Sequence, residues 1–354
     1  MTTIRRLIPG LLALAVAACA TVPPEQPHVH ELPETVAFAG EPVPIDDPEV
    51  YARVSTWYNF YLSQPWRISR WLERAEWIFP IVEPILEAHD LPDDLKYVAV
   101  LESSLAPRAI GAAGERGIWQ FMPDTAEEYG LTINRFLDER SDVAASTEAA
   151  AEYFHNARGE IGGSWNLAVA SFNVGVDGVT QRTARQNESD YWVMVFPPVT
   201  EDYLPQAVAA KLLMEDAEAL DITPQVSHAR TRRFSVALEE RPLYLTDIAG
   251  HVDVPFRALW TANPHIWKPY LEPGEYNIYL PEDAAADLGA GELERFLREK
   301  PYEKRSFPAD GEHTIAELAD KLGLTADELA TFNDTSPGAT PEEDEEIVYW
   351  RRAE

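Results

Sequence analysis

Eight positions in the C-terminal third of the chain recur at a single spacing, and no other feature narrows the possible folds as far. Leu245, Ile248, Ala249, Val254, Leu259, Asn263, Ile278 and Tyr279 return as Ile315, Leu318, Ala319, Leu324, Leu329, Asn333, Val348 and Tyr349, each 70 residues later. A constant offset of this kind marks two copies of one small unit, because each copy buries the same positions in the same order. Each copy reads as two short helical segments followed by a strand, at Tyr276–Leu280 in the first and Ile347–Trp350 in the second. The copies are expected at 226–300 and 301–354.

Ahead of the repeat, from 49 to 225, no run of clear alternation interrupts a helical and aromatic pattern. Trp57, Tyr58, Tyr61, Trp66, Trp71 and Trp77 recur at helix-compatible spacing, and most are expected in the core rather than against a ligand. Asp124 followed by Glu127 has the spacing of a capping box, and Ser164 stands before a helix carrying Trp165, Leu167, Ala168 and Ala170. This stretch reads as one all-α domain, which makes the whole chain α+β and multidomain. Its 354 residues, 45% of them hydrophobic and 10 of them tryptophan, suffice for one substantial core and one or two smaller domains. Lys+Arg 29 against Asp+Glu 60 gives a formal charge of −31, which repels phosphate backbones, so no nucleic-acid partner is expected.

The N-terminus has its own logic. Arg5 and Arg6, an apolar stretch from Leu7 through Val16 and small residues before Cys19 form the three-part pattern of an export signal over residues 1–18. Val16-Ala17-Ala18-Cys19 resembles the bacterial lipobox, in which the cysteine is lipidated and becomes the first mature residue. Cys19 is also the only cysteine, which fits lipidation in an oxidising periplasm. The resemblance implies a membrane anchor on Cys19, and Ala20 after it implies sorting to the periplasmic side of the outer membrane. Residues 19–48 are rich in proline and acids and are expected to stay extended as a spacer, with His28 and His30 solvated.

Chemistry is concentrated near Glu102. Leu95, Val98 and Glu102 fall on one face of a helix that ends before Pro107, so the carboxyl group lies against apolar residues. Such a carboxyl group has a raised pKa and serves as a general acid near neutral pH, as glycosidic bond cleavage requires. On this helix alone, a structural glutamate paired to Arg108 or Arg116 is the favoured reading. No His-Glu-x-x-His motif, cysteine cluster or Gly-rich phosphate loop appears, so neither metal nor cofactor is expected.

The surrounding residues carry a resemblance. Glu102-Ser103, Pro107, Gly117-Ile118-Trp119-Gln120-Phe121-Met122-Pro123, Tyr129-Gly130, Asp138-Glu139-Arg140, Ala170-Ser171-Phe172-Asn173-Val174-Gly175 and Tyr203-Leu204-Pro205 resemble the lytic murein transglycosylases of the membrane-bound D type, within the goose-type lysozyme-like superfamily. Gly311, Thr314-Ile315, Leu318-Ala319, Gly323-Leu324, Leu329 and Asn333 separately resemble a LysM module, a βααβ glycan-binding fold, with the first copy a degenerate version or a packing spacer.

The resemblance implies a lysozyme-like helical domain that cleaves peptidoglycan glycan strands without water. Glu102 is implied as the catalytic acid and base, Gln120, Met122 and Phe172 as cleft residues, Asn173 as an orienting group and Tyr203 as a neighbour of Glu102. Three positions depart from the family pattern: Gly111 for a serine that bonds the glutamate, Phe172 for a tyrosine and Val199 for a glutamate. Each removes a polar group, and Glu115, where relatives usually carry a small residue, offers a partial compensation. A glycan-binding lipoprotein without activity and a water-using lysozyme-like hydrolase are the two alternatives.

Overall fold

The computed structural model describes residues 30–227, 230–239, 241–289, 291–299 and 302–353; Cys19, His28 and the export segment lie outside them. Contrary to the extended spacer expected through Pro48, residues 30–47 pack onto the helical domain. Strands β1 (Val36–Phe38) and β2 (Glu41–Val43) pair antiparallel, with Val36 opposite Val43. Leu32, Val36, Phe38 and Val43 are buried, because apolar residues spaced between the prolines find a surface to cover. Glu41 fixes the hairpin: its carboxylate accepts the amides of Trp165 at 2.6 Å and Asn166 at 3.2 Å and the Ser164 hydroxyl at 3.1 Å, at a helix N-terminus where anions are favoured.

Nine helices follow among the described residues before the repeat: α1 (Pro48–Leu62), α2 (Pro65–Ala88), α3 (Lys96–Ser103), α4 (Pro123–Glu128), α5 (Val143–Glu160), α6 (Trp165–Val174), α7 (Val176–Gln186), α8 (Pro198–Glu201) and α9 (Tyr203–Glu215). Starts are set locally. Asp47 caps α1, Asp142 caps α5 and the Ser164 hydroxyl accepts the Leu167 amide to cap α6. The Asp124 capping box does not form: Pro123 already has the fixed φ of a first helical residue, so α4 starts there with Met122 at the cap and Asp124 inside the first turn. Helix α3 is central, with Val98, Ala99 and Val100 wholly buried and with α9 and α2 packed against it. Of the early aromatics, Tyr58, Tyr61 and Trp71 are buried, whereas Trp66, in the first turn of α2, is 62% exposed.

The repeat folds as two βααβ units. The first comprises β3 (Thr231–Leu238), β4 (Leu243–Tyr244), α10 (Leu245–His251), α11 (Phe256–Ala262), β5 (Tyr270–Leu271) and β6 (Gly274–Pro281), with α12 (Glu282–Ala285) and α13 (Glu292–Arg298) appended. The second comprises β7 (Tyr302–Pro308), α14 (Ile315–Leu322), α15 (Ala326–Phe332) and β8 (Glu346–Arg352). Both outer strand pairs, β3 with β6 and β7 with β8, are antiparallel. An asparagine locks each unit: the Asn263 amide donates to the carbonyls of Leu259 and Tyr279 and accepts from the Tyr279 amide, and Asn333 does the same with Leu329 and Val348.

These bonds correct the spacing of the last two repeat positions. Tyr279 is the structural equivalent of Val348, not Tyr349, and Ile278, opposite Phe234, matches Ile347, opposite Phe307. The connection into β8 is one residue shorter than that into β6, which moves the strand by one position while the helices keep their offset.

The first unit is docked on the helical domain. The amide of Asp138 donates to the His265 carbonyl at 2.9 Å, that of Trp267 to the Phe136 carbonyl at 2.8 Å, and the Tyr279 hydroxyl donates to the Asp142 carboxylate. The second unit docks on the first through α15, with Lys268 against Asp327 at 2.7 Å and the Tyr244 hydroxyl on Glu328 at 2.6 Å.

Replacing Glu41 by alanine removes the side-chain acceptor for two helix amides. It is expected to cost about 1–2 kcal/mol and to open residues 30–47 to protease, read by thermal melts and limited proteolysis.

Candidate active site

Glu102 sits in the last turn of α3, where the helix's own carbonyls disfavour a negative charge. The chain then turns sharply: Ser104 and Leu105 both adopt left-handed backbone, at φ 54° and 57°, although neither is glycine. Burial of Leu105 and a bond from the Arg74 guanidinium to the Ser104 carbonyl, 2.8 Å, hold this turn. The Ser103 hydroxyl donates to the Ile118 carbonyl at 2.9 Å and accepts the Ala106 amide at 3.1 Å, tying the helix end to the following loop.

Burial pushes the Glu102 carboxyl up to about 7, a hydrogen bond from Tyr203 opposes that rise, and the nearby Glu115 carboxylate adds to it. The Tyr203 hydroxyl donates to Glu102 Oε1 from the first residue of α9. Burial, with Glu102 beside it, lifts the Tyr203 phenol well above its ordinary value, so it remains a donor. Neither arginine considered from sequence pairs with Glu102: Arg116 Nε lies 3.3 Å from Asp138, and Arg108 donates to the Trp260 carbonyl at 2.9 Å.

The loop from 106 to 122 is braced by a buried ion pair that sequence reading left without a role. Arg140 meets Asp138 at 2.7 Å and 3.0 Å and donates onward to the carbonyls of Gly114, 2.8 Å, and Phe121, 3.1 Å. Gly117 passes so close that a β-carbon there would lie 1.6 Å from the Arg140 carbonyl oxygen, and its φ is 84°. Trp119 is core, its indole nitrogen donating to Thr147 at 3.0 Å.

Gln120, Met122 and Phe172 line one cavity of about 450 Å³, together with Tyr129, Tyr153 and Ser171. Gln120 has a left-handed backbone, φ 52°, and its amide donates inward to the Gly117 carbonyl at 2.7 Å. Phe172 joins an aromatic cluster with Trp119, Phe121, Tyr153 and Phe154, which accounts for an apolar ring at this position. Asn173 is exposed at the end of α6 and accepts from the Thr200 hydroxyl at 2.7 Å, while Val199 is 67% exposed. Glu102 does not line this cavity, where the Tyr153 hydroxyl donates to the Ser171 carbonyl at 2.8 Å. Among the described residues no cluster of histidine, cysteine or carboxylate side chains could hold a metal ion.

Residues 81–195, which include Glu102, Gln120 and Asn173, match the family described as Transglycosylase SLT domain. This stretch is an SLT domain. The chain is similar to the membrane-bound lytic murein transglycosylase D of two Escherichia coli strains, 24% identical over 311 residues that span 84% of this chain and 68% of each relative. Among solved structures it is similar to an inactive mutant of the lytic transglycosylase Slt from Pseudomonas aeruginosa, at 15% identity and a TM-score of 0.31, over 41% of this chain and 24% of that one. The SLT match ends before Tyr203, so the partner of Glu102 lies outside the matched segment.

Two outcomes follow from this geometry. Because the folded Glu102 carboxyl has a pKa above its ordinary 4.5, it binds protons more tightly folded than unfolded; stability falls as pH rises from 4.5 through about 7. Glu102→Gln is therefore expected to raise stability at pH 8 by on the order of 3 kcal/mol, read as a higher melting temperature, and to leave it unchanged at pH 4. Gly117→Ala is expected to cost about 3 kcal/mol or more through collision with the Arg140 backbone, measured by denaturant unfolding.

Proposed function

We propose that the chain is a peptidoglycan lytic transglycosylase that cleaves the β-1,4 bond between N-acetylmuramic acid and N-acetylglucosamine, leaving 1,6-anhydromuramoyl ends. The observation that carries this reading is a half-buried Glu102 poised near neutral pH, with one oxygen held by Tyr203 and the other left for a substrate. The SLT match and the two Escherichia coli relatives support the same reading.

In the first step Glu102 gives its proton to the bridging oxygen as the bond to the muramoyl C1 breaks, and the substrate's acetamido group offsets the developing positive charge. The bond from the Tyr203 hydroxyl stabilises the carboxylate that remains. In the second step that carboxylate takes the proton of the muramoyl C6 hydroxyl, whose oxygen closes on C1. An intramolecular hydroxyl has the advantage of proximity over water, so a single carboxyl group serves both steps. Gln120, Met122 and Phe172 would hold the glycan in the cavity they line, with Asn173 orienting the reacting region.

The two βααβ units are read as LysM-like. The second would hold glycan, and the first, docked through Tyr279, His265 and Trp267, would set its distance from the cleft. Lipidation at Cys19 would tether the enzyme to the periplasmic face of the outer membrane. Among the described residues no helix is long and apolar enough to cross a membrane.

The test is mass spectrometry of the soluble products released from purified sacculi by protein lacking residues 1–18, beside its Glu102→Gln variant. Anhydromuropeptides from the first and none from the second are the expected outcome. Reducing-end products would make the protein a hydrolase, and sacculus binding without release from either would make it a glycan-binding lipoprotein.

A further inference from the structure

The N-terminal segment joins the helical domain at one corner. The His30 amide donates to Asn59 Oδ1 at 3.3 Å, one residue before Phe60 in the last turn of α1. Ser63 and Gln64 then lead into α2, whose first turn carries Trp66. Both rings are exposed, Phe60 with 46% of its surface and Trp66 with 62%. Both are also held in place: Phe60 lies 5.4 Å from Trp57 and 5.6 Å from Tyr61, and the Arg67 guanidinium lies 5.5 Å from the Trp66 ring. Charge is distributed unevenly here. Residues 50–72 hold no aspartate or glutamate, the longest such run among the described residues, in a chain with a formal charge of −31. Glu73, which ends the run, accepts the amides of Gln225 at 3.1 Å and Val226 at 3.2 Å. Arg70, one turn after Trp66 on the same face of α2, is exposed, as is Glu31 beside His30. The corner is thus aromatic and nearly free of acids on a strongly acidic protein.

We propose that the α1–α2 corner is the face this protein turns to the membrane, with Phe60 and Trp66 entering the headgroup layer of a phospholipid surface. The proposal rests on the reading of Cys19 as a lipid anchor. Cys19 and His30 are eleven residues apart, and whatever its path a chain of that length spans at most about 40 Å. The anchor therefore holds this corner within that distance of the bilayer, while the 24 residues of α2 carry the rest of the domain about 36 Å along its axis. A tryptophan suits the boundary between headgroups and acyl chains, because its ring is apolar and its indole N–H remains a donor. Arg67 and Arg70 add attraction to anionic headgroups, where a run of carboxylates would be repelled. A lipid anchor fixes where a protein is and leaves its orientation free; two inserted rings at one corner supply the orientation. That orientation reaches the reaction site, since the Tyr61 hydroxyl donates to Gln206 Oε1 at 2.9 Å, on the same helix as Tyr203.

The experiment uses the full-length lipoprotein in vesicles of phosphatidylethanolamine and phosphatidylglycerol that contain nitroxide-labelled acyl chains. Cys19 is the only cysteine, so once it is lipidated an introduced cysteine is the single free thiol for a fluorophore. Ser63→Cys places the label at the corner, and Ser336→Cys places it on the second βααβ unit; both positions are exposed. Flotation with the vesicles is expected for both, with fluorescence quenched by the lipid nitroxide at 63 and not at 336. Phe60→Ser combined with Trp66→Ser is expected to float, to keep its melting temperature and its muropeptide release in detergent solution, and to lose the quenching at 63. Trp66→Ser alone, which alters the more exposed ring, is expected to lose part of it. Equal quenching at the two positions, or quenching at 63 that survives the double substitution, overturns the proposal and leaves the anchor standing. Wild type that does not float removes the anchor and the proposal together. Loss of sacculus binding in the double variant, with no quenching at 63 in the parent, makes the corner a glycan contact and overturns the membrane face.

Discussion

The buried pair of Asp138 and Arg140 is the interaction on which the rest of the structure depends. Asp138 is wholly buried and Arg140 nearly so, and the guanidinium also holds the carbonyls of Gly114 and Phe121. Removing Asp138 leaves the buried Arg140 guanidinium without its carboxylate, at a cost of about 3–5 kcal/mol. The consequence is local and specific: the middle and the far end of the loop from 106 to 122 are fixed to one side chain. The same short segment also seats the first βααβ unit, since the Asp138 amide reaches His265, Leu137 bridges Ile266 and Asp142 receives Tyr279. Cleft and repeat are therefore referenced to one buried seam.

At Glu102 burial outweighs the bond from Tyr203 and leaves the carboxyl near neutrality, at about 7. Desolvation, the end of α3 and Glu115 favour the neutral acid; the Tyr203 hydroxyl favours the anion. A group that must give and then recover a proton works best when neither form is strongly preferred at working pH. The surrounding backbone is strained to hold this arrangement, with Ser104, Leu105 and Gln120 all left-handed without being glycine. Strain of that kind persists only where neighbouring packing over-determines it, and here the buried Leu105 and the inward-facing Gln120 amide supply the constraint.

The two repeat copies keep their internal lock and differ in their outward use. Asn263 and Asn333 make the same three bonds, so the unit's shape is conserved between copies. The hydroxyl of Tyr279, by contrast, leaves its own unit to reach Asp142, while the equivalent side chain in the second copy is Val348, with no such reach. One hydroxyl turns the first copy into a fixed neighbour of the helical domain.

What the sequence determined alone is what short-range spacing can encode. The helical domain, the Ser164 cap, the place of Glu102 at a helix end among apolar residues and the doubling of the C-terminal unit are all read from neighbours in the chain, because helix faces and caps are decided within a few residues. The proline-rich segment misled for the same reason: its composition argued for an extended spacer, and only the N-terminal amides of α6, more than 120 residues away, gave Glu41 a place to bind. The repeat spacing was right for the helices and off by one in β8, since loop length between elements leaves no periodic trace. The bond between Tyr203 and Glu102 spans 101 residues and was foreseen only through the family resemblance; the Arg140 brace reaches back to Gly114, and the room made by Gly111 has meaning only when Glu115 is seen folded into it. Those pairings belong to tertiary structure, because which faces meet is fixed by packing the whole domain and not by any pattern along the chain.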